Sequence, residues 1–599
     1  MKKPQKKKKR RKELTYKRKA MEMAREHWEK EKEKAINERR TFRGLQIVPT
    51  ASFYDESHGH KPGENNWTRF GFDLHPQVSL VAGGLVLIFI LMTILFREQS
   101  AVFFQSLLDG IGNTFGWLYI LAANFFVIVM VLIAASDFGK IRIGGPDALP
   151  EFSTFSWYAM LISAGMGIGL MFWSVAEPVF HFMTPSPMFD VPPSTAQSAQ
   201  VALGLTYYHW GIHPWGIYAL VGLSLAFFAY NRGLPLTIRS IFQPLLGDRI
   251  YGFWGNIIDI LSVLATLFGL ATSLGLGVQQ VASGLNYLFG LPSSTAFAVL
   301  LIGVITFFAV ISIATGLDRG VKNLSMANMY MAGAFMLFLL AVGPTVYILK
   351  AFTQNLGFYI QNLPQLSFWV ETFYGAEGSN WQNPWTIFYW GWWISWSPFV
   401  GMFIARISKG RTVREFILGV MIFPTLLSFL WMSAFGGSAL WLQLATASDI
   451  AAAVKADVST ALFVMLESFP LTGVTSFIGV LLVTIFFITS SDSGSLVVDH
   501  LTSGGKLDSP VPQRIFWGVI EGVCAAALLM GGGLVALQSA SIATGLPFTV
   551  VLLVMCYSLY RGLQEEHYHA TIIGKMEPET HRIEIPLDKE KSTGQKKRS

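Results

Sequence analysis

The chain has 599 residues, 52% of them hydrophobic and 14% charged, and a formal net charge of +7. Soluble domains carry about 25% charged residues, so this composition excludes an ordinary soluble multidomain protein and points to a membrane protein. The basicity belongs to one end: residues 1–43 hold 19 Lys and Arg against seven Glu, a net of +12, so the remainder sums to −5.

That end opens with KKPQKKKKRRK, a run of like charge that should be disordered, while residues 19–41 mix Lys, Glu, Ala and Met and could form a helix. A basic segment of this kind attracts anionic lipid, at about 1 kcal/mol per basic residue near the surface. The plainer reading is a solvated tail that only reinforces topology. No cleavable signal peptide is expected, because the first apolar stretch starts near Val78 and is long enough to span a bilayer.

Twelve apolar stretches follow. They lie near 78–96, 115–135, 157–180, 200–230, 253–289, 296–318, 328–350, 384–408, 415–442, 468–494, 513–535 and 543–561. The fourth and fifth exceed bilayer thickness and should tilt or protrude. Basic residues follow the even-numbered stretches: Lys140 and Arg142, Arg232 and Arg239, Arg319 and Lys322, Arg406, Lys409, Arg411 and Arg414, then Lys506. The opposite loops are nearly free of them, and residues 181–199 contain none. Positive charge inside places both termini in the cytoplasm.

The third stretch carries SAGMGIGLMFWSVAEP, with Gly165, Gly167 and Gly169 at every second position. A period of two is no helix face, and each glycine weakens a helix by about 1 kcal/mol relative to Ala. Non-helical backbone at membrane depth is tolerated where it lines a polar cavity, although small residues also serve tight helix packing. The fourth stretch contains HWGIHPWGIY, with Trp210, Trp215 and Tyr218. The eighth contains WGWWISWSPF, with Trp392, Trp393 and Trp396. Aromatic rings anchor many proteins at membrane interfaces. These lie within long apolar segments, where clustered ring faces can hold a permanent cation such as a quaternary ammonium group, at about 2 kcal/mol per desolvated contact.

The tenth stretch ends in FFITSSDSGS, residues 486–495, whose Thr489, Ser490, Ser491 and Ser493 offer oxygens suited to a hard cation. Asp492 is expected to belong to the helix end there, and a C-terminus capped by small polar residues is the plainer reading. Glu177, Asp259, Glu467 and Glu521 are functional candidates as ionisable groups near or within spans, but their scatter gives no catalytic dyad. His209 and His213 are four apart, yet Pro214 disturbs that helix and no carboxylate is expected nearby, so no zinc site is expected. Cys524 and Cys556 fall in apolar spans, which argues against a disulfide framework.

WWISWSPFVGMFIARISKGRTVREF, residues 392–416, resembles the signature of the betaine/choline/carnitine transporter family. AGMGIGLMFWSVAEP, HWGIHPWGIY, ATLFGLATSLGLG (265–277), GLDRGVKNLS (316–325) and ITSSDSGS resemble the family pattern in its order, over roughly residues 75–560. The resemblance implies an all-α polytopic membrane protein of LeuT type. Two inverted five-helix repeats, about 157–350 and 384–561, would stand behind two additional N-terminal helices. The transporter domain would run over 76–562, between cytoplasmic tails 1–75 and 563–599, in a bacterial cytoplasmic membrane, assembled as a homotrimer. Trp210, Trp215, Tyr218 and Trp393 would form an aromatic box. Trp392 and Trp396 would line the cytoplasmic side of the path, and Gly165, Gly167 and Gly169 the unwound backbone beside it. One Na+ position would use backbone oxygens of Ser163, Met166 and Phe486 with the hydroxyls of Thr489 and Ser490. A second would use Thr266 and Phe399, but Leu270 stands where two-sodium members look to have Thr. Gly169 resembles the sodium-coupled members, since proton-coupled choline carriers tend to carry Asp there.

The function this implies is no enzyme but a symporter that imports glycine betaine, or a related quaternary-ammonium osmolyte, with Na+ as coupling ion, for osmoprotection. A choline or carnitine carrier, H+-coupled or exchanging, is the alternative within the family. A channel would need a polar pore lining and a membrane enzyme an acid–base or metal constellation, and the sequence displays neither.

Overall fold

The computed structural model describes residues 41–42, 45–46 and 59–576, apart from 166, 316–317, 374–380, 447 and 449. The basic tail with its expected lipid contact, and residues 577–599 of the C-terminal tail, lie outside the described residues. Two short antiparallel pairs come first, β1 (Thr41–Phe42) with β2 (Leu45–Gln46) and β3 (Trp67–Arg69) with β4 (Phe72–Leu74). Helices dominate everything after them. The long ones are α1 (Pro76–Leu95), α2 (Arg97–Ala135), α3 (Thr154–Gly165), α4 (Ile168–Met183), α5 (Ala196–Trp210), α6 (Ile212–Tyr230) and α7 (Phe253–Phe289). They continue with α8 (Thr295–Thr315), α9 (Asp318–Val342), α10 (Thr345–Phe368), α11 (Phe388–Ile407), α12 (Val413–Ala445), α13 (Thr472–Thr502) and α14 (Val511–Met576).

Among the described residues, nine helical segments are long and apolar enough to cross a membrane, α5 with α6 counting as one, and the bent pair α3–α4 makes a tenth. α11 is a further apolar helix of 20 residues. α14 is two helices merged across Gly532 and Gly533, whose backbone is not helical. With α11 and both halves of α14 counted, the described residues hold twelve apolar helical segments, and the expectation of an all-helical polytopic protein holds. Leu87, Ile88 and Leu91 on α1 and Phe307 and Phe308 on α8 are exposed, as apolar side chains facing lipid would be. Cys524 and Cys556 are free and buried.

Two breaks shape the interior. α3 and α4 meet at a 66° bend, where Gly167 is extended and caps α4. α5 and α6 are separated at Gly211. A β-carbon on Gly211 would stand 2.6 Å from the Tyr207 carbonyl oxygen and 2.8 Å from the Tyr359 hydroxyl, so only glycine fits. Pro214 falls in the first turn of α6, where a missing N–H costs little.

The basic loops gather at one end of the bundle. Arg142 Nη1 donates to the Gly410 carbonyl at 2.5 Å, and Arg414 Nε to that of Ala134 at 2.7 Å. Asn231 Nδ2 donates to the Arg142 carbonyl at 3.0 Å, and Arg232 Nη2 to that of Gly562 at 3.0 Å. His500 Nε2 meets the Leu236 carbonyl at 2.8 Å. Lys506 pairs with Asp73, just ahead of α1. The loops after α2, α6, α11 and α13 thus share a face with the segment before α1 and with Gly562 in α14.

Candidate functional site

The two breaks and α11 converge on one cluster of rings. Trp210 closes α5, Trp215 and Tyr218 lie on the first turns of α6, and Trp392, Trp393 and Trp396 lie on α11. All six are buried. Trp392 and Trp393 stack, with centroids 4.6 Å apart and planes 14° apart. Trp210 meets Trp393 edge-on at 4.9 Å and 73°. Tyr218 stands edge-on to Trp215 at 5.6 Å and to Trp393 and Trp396 at 6.3 Å each. This interleaving of faces and edges suits the ring quadrupole.

The glycine stretch lies against the same rings. A β-carbon on Gly165 would stand 2.0 Å from Trp215 Cη2, and one on Gly169 would stand 2.5 Å from Trp392 Cη2 and 3.1 Å from Trp210 Cη2. At Gly167 the nearest atom would be Trp396 Cη2, at 3.9 Å. At Gly165 and Gly169, on either side of the break, the backbone therefore approaches the rings as no bulkier residue would permit.

Hydrogen bonds hold the ring edges. Trp393 Nε1 donates to the His209 carbonyl at 3.0 Å and Trp392 Nε1 to Ser273 Oγ at 3.2 Å. Trp210 Nε1 donates to Glu177 Oε2 at 2.9 Å. Two polar atoms in the cluster, the Tyr218 hydroxyl and Trp396 Nε1, are buried without a hydrogen-bond partner.

Behind the rings lies a polar group that the sequence reading did not assemble. Glu177, His181 and His209 are fully buried, and one ligand atom from each lies within 4.8 Å of the others, close enough to hold a metal ion. His209 Nδ1 is 2.6 Å from Glu177 Oε1 and its Nε2 is 3.0 Å from Thr386 Oγ1. Both ring nitrogens are thus already engaged. The expectation that no carboxylate stands near His209 is corrected, because the fold brings Glu177 to it, while His213 Nε2 turns to Asn124 Oδ1 at 3.1 Å. What that reading missed is the spacing of Glu177 and His181, four apart on α4 and so on one helix face. Only the fold brings His209 to them.

Of the expected ion ligands, Ser163 is half-buried in the last turn of α3, and Met166 lies outside the described residues. Phe486, Thr489 and Ser490 are half-buried on α13, which packs against α4. Thr489 Oγ1 donates to the Ile485 carbonyl at 2.9 Å, which leaves its lone pairs for another group. Residues 486–495 are not a helix end: α13 runs on to Thr502, and buried Asp492 accepts from Ser312 Oγ at 3.2 Å. The expectation of a capped terminus is corrected, because small hydroxyl residues bond within their own helix here and do not stop it. Thr266 Oγ1 donates to the Ser262 carbonyl at 2.6 Å. Leu270 packs on α13, where a β-carbon on Gly494 would stand 2.4 Å from its Cδ1. Phe399 lies 5.8 Å from Trp396, ring to ring. Asp259 pairs with Arg239, and Glu521 Oε2 accepts from Ser491 Oγ at 3.2 Å.

A family profile of betaine/carnitine/choline family transporters matches residues 77–568. A glycine betaine/proline/choline transporter of Vibrio parahaemolyticus is 47% identical over 511 residues, 83% of this chain and 91% of its own. A glycine betaine transporter of the same organism is 48% identical over 522 residues, 85% of this chain and 98% of its own. A glycine betaine transporter of Acinetobacter baylyi is 45% identical over 493 residues, 82% of this chain and 74% of its own. Among solved structures, a manganese transporter of Eremococcus coleocola covers 74% of this chain and 95% of its own at 14% identity and a TM-score of 0.39.

Proposed function

The chain belongs to the betaine/carnitine/choline transporter family, as a multi-pass membrane transporter and not an enzyme, and on that premise we propose that it imports glycine betaine by symport with Na+. The observation that carries this reading is the cluster of six buried aromatic residues, four of which, Trp210, Trp215, Trp392 and Trp396, lie against the glycines of the α3–α4 break. Trp210, Trp215, Tyr218 and Trp393 enclose the trimethylammonium group through ring faces. Trp392 and Trp396 border the path toward the cytoplasm. The unpaired Tyr218 hydroxyl and Trp396 Nε1 are donors that the substrate's carboxylate would satisfy. The names of the relatives support the substrate class, and glycine betaine is the one they share.

Na+ would lie where α3 ends. The last carbonyls of a helix have no partner within it, and a break at membrane depth is where secondary transporters bind coupling ions. Carbonyl and hydroxyl oxygens of Ser163, Met166, Phe486, Thr489 and Ser490 would form the hard-cation donor set. Leu270 supplies no oxygen, so one Na+ per cycle is the reading here. α3–α4 and α11 would head two inverted repeats around this centre. The basic loops gathered at one end support cytoplasmic termini in a bacterial inner membrane, and osmoprotection follows from the substrate. The test is uptake into proteoliposomes with glycine betaine, choline, carnitine and proline in competition, with and without a Na+ gradient. Concentrative, Na+-dependent uptake of glycine betaine is expected. Equal uptake without Na+ would overturn the symport.

A further inference from the structure

We propose that Glu177 is a positioning residue of the aromatic box and that its buried carboxylate sets how the box ranks net-positive against zwitterionic quaternary ammonium compounds, an inference that rests on the function proposed above. Glu177 has no exposed surface. Its Oε2 accepts from Trp210 Nε1 at 2.9 Å and from the Tyr389 hydroxyl at 2.5 Å. Its Oε1 faces His209 Nδ1 at 2.6 Å. An indole N–H can only donate, so Oε2 is an acceptor, and contacts this short are those of charge-assisted bonds to a carboxylate. With Nδ1 donating to Glu177, the other nitrogen of a neutral His209 accepts from Thr386, and its distance of 3.0 Å fits that bond. Among the described residues, His181 is the remaining titratable side chain beside the carboxylate besides His209 and Tyr389, with Nε2 3.6 Å from Oε1.

Two consequences follow for the rings. Trp210 is a wall of the box, and its edge is fixed by a charged acceptor that does not rotate away. Tyr389 shares that acceptor while its ring lies 5.7 Å from both Trp210 and Trp393. An indole N–H points outward in the ring plane, so the box has a negative charge at the edge of Trp210, in a low-dielectric interior where such a charge is felt strongly. Choline carries one positive charge and nothing to oppose it. Glycine betaine adds a carboxylate that the same charge repels. Glu177 thus favours choline over glycine betaine relative to what ring faces alone would give.

The experiment is competition for uptake in proteoliposomes holding the full-length protein. Inhibition constants are measured for choline, glycine betaine and the uncharged choline isostere 3,3-dimethylbutan-1-ol. Glu177→Gln is expected to weaken choline roughly tenfold, glycine betaine less, and the isostere least. Glu177→Asp keeps the charge and should restore the choline-to-betaine ratio even if overall affinity drops. Equal weakening of all three compounds, or a ratio that moves alike in Gln and Asp, would reduce Glu177 to a packing element and overturn the proposal. Should Glu177→Gln not reach the membrane, Tyr389→Phe reads the same quantity with opposite sign. Removing the hydroxyl dipole leaves the carboxylate less compensated, so the ratio should move toward choline, and an unmoved ratio would equally overturn the proposal. If the unmutated protein takes up neither choline nor glycine betaine, the transport reading itself has failed, which the same assay reports separately.

Discussion

Trp215 lies over the backbone of Gly165 so closely that a β-carbon there would stand 2.0 Å from the ring's Cη2. Fifty residues separate the two in sequence, yet they form one device. The glycines at the α3–α4 break and the aromatic segments of α6 and α11 are two sides of one surface, because at Gly165 and Gly169 only a bare backbone fits against the rings.

Gly165→Ala should therefore be among the most damaging single-methyl changes in the chain. The new methyl must displace Trp215 or move the end of α3, and both lie in the box. Uptake should fall below detection while the protein still reaches the membrane. Gly167→Ala is the control, since its β-carbon would meet nothing nearer than 3.9 Å and the extended backbone there suits any residue. Uptake that is equal in the two variants would show that contact with Trp215 is not what residue 165 is for.

Trp393→Leu keeps α11 apolar and removes a ring that touches Trp210, Tyr218 and Trp392. Losing one desolvated cation–π contact of about 2 kcal/mol should raise the half-saturating glycine betaine concentration about thirtyfold. Trp393→Phe should lose less. Concentration-dependent uptake measures this, and an unchanged half-saturation in a correctly inserted Leu variant would remove Trp393 from the box.

The helical spans were legible because bilayer thickness forces long apolar runs. The aromatic segments were legible because tandem Trp at membrane depth are few. The glycine stretch could be read as a break because its period of two contradicts a helix face. The Glu177 network was not legible. Its members come from α4, α5, α11 and the π-helical turn at Asn383–Ile387, and sequence distance hides that convergence. The expectation of a helix end at residues 486–495 failed for a different reason. Ser, Thr and Asp mark helix ends in water, but inside α13 their side chains bond to their own helix and to neighbours, and the helix continues to Thr502.

Asp259 illustrates the opposite case, a buried acid whose task is structural. It accepts from the Arg239 backbone N–H at 3.0 Å and pairs with the same residue's guanidinium, with no exposed surface. Removing one member of such a pair leaves a buried charge without its partner and costs about 3–5 kcal/mol. Asp259→Ala should lower the thermal unfolding temperature of the purified protein by several degrees. Paired replacement of Asp259 and Arg239 by apolar residues should recover part of that loss. A single variant as stable as the unmutated protein would contradict this role.

Thr489 and Ser490 offer the most direct test of ion coupling. Both are half-buried on α13, which packs against the helix that restarts after the glycine break. Replacing both with Ala removes two hydroxyl oxygens and, by intrinsic propensity, favours the helix. Any loss of function would then reflect the oxygens and not an unfolded α13. The half-maximal Na+ concentration for glycine betaine uptake should rise at least tenfold, while the half-saturating substrate concentration at saturating Na+ should stay near its unmutated value. That split matters, because damage to the box would raise the second quantity as well. Uptake in the double variant with unaltered Na+ dependence would place the coupling ion elsewhere.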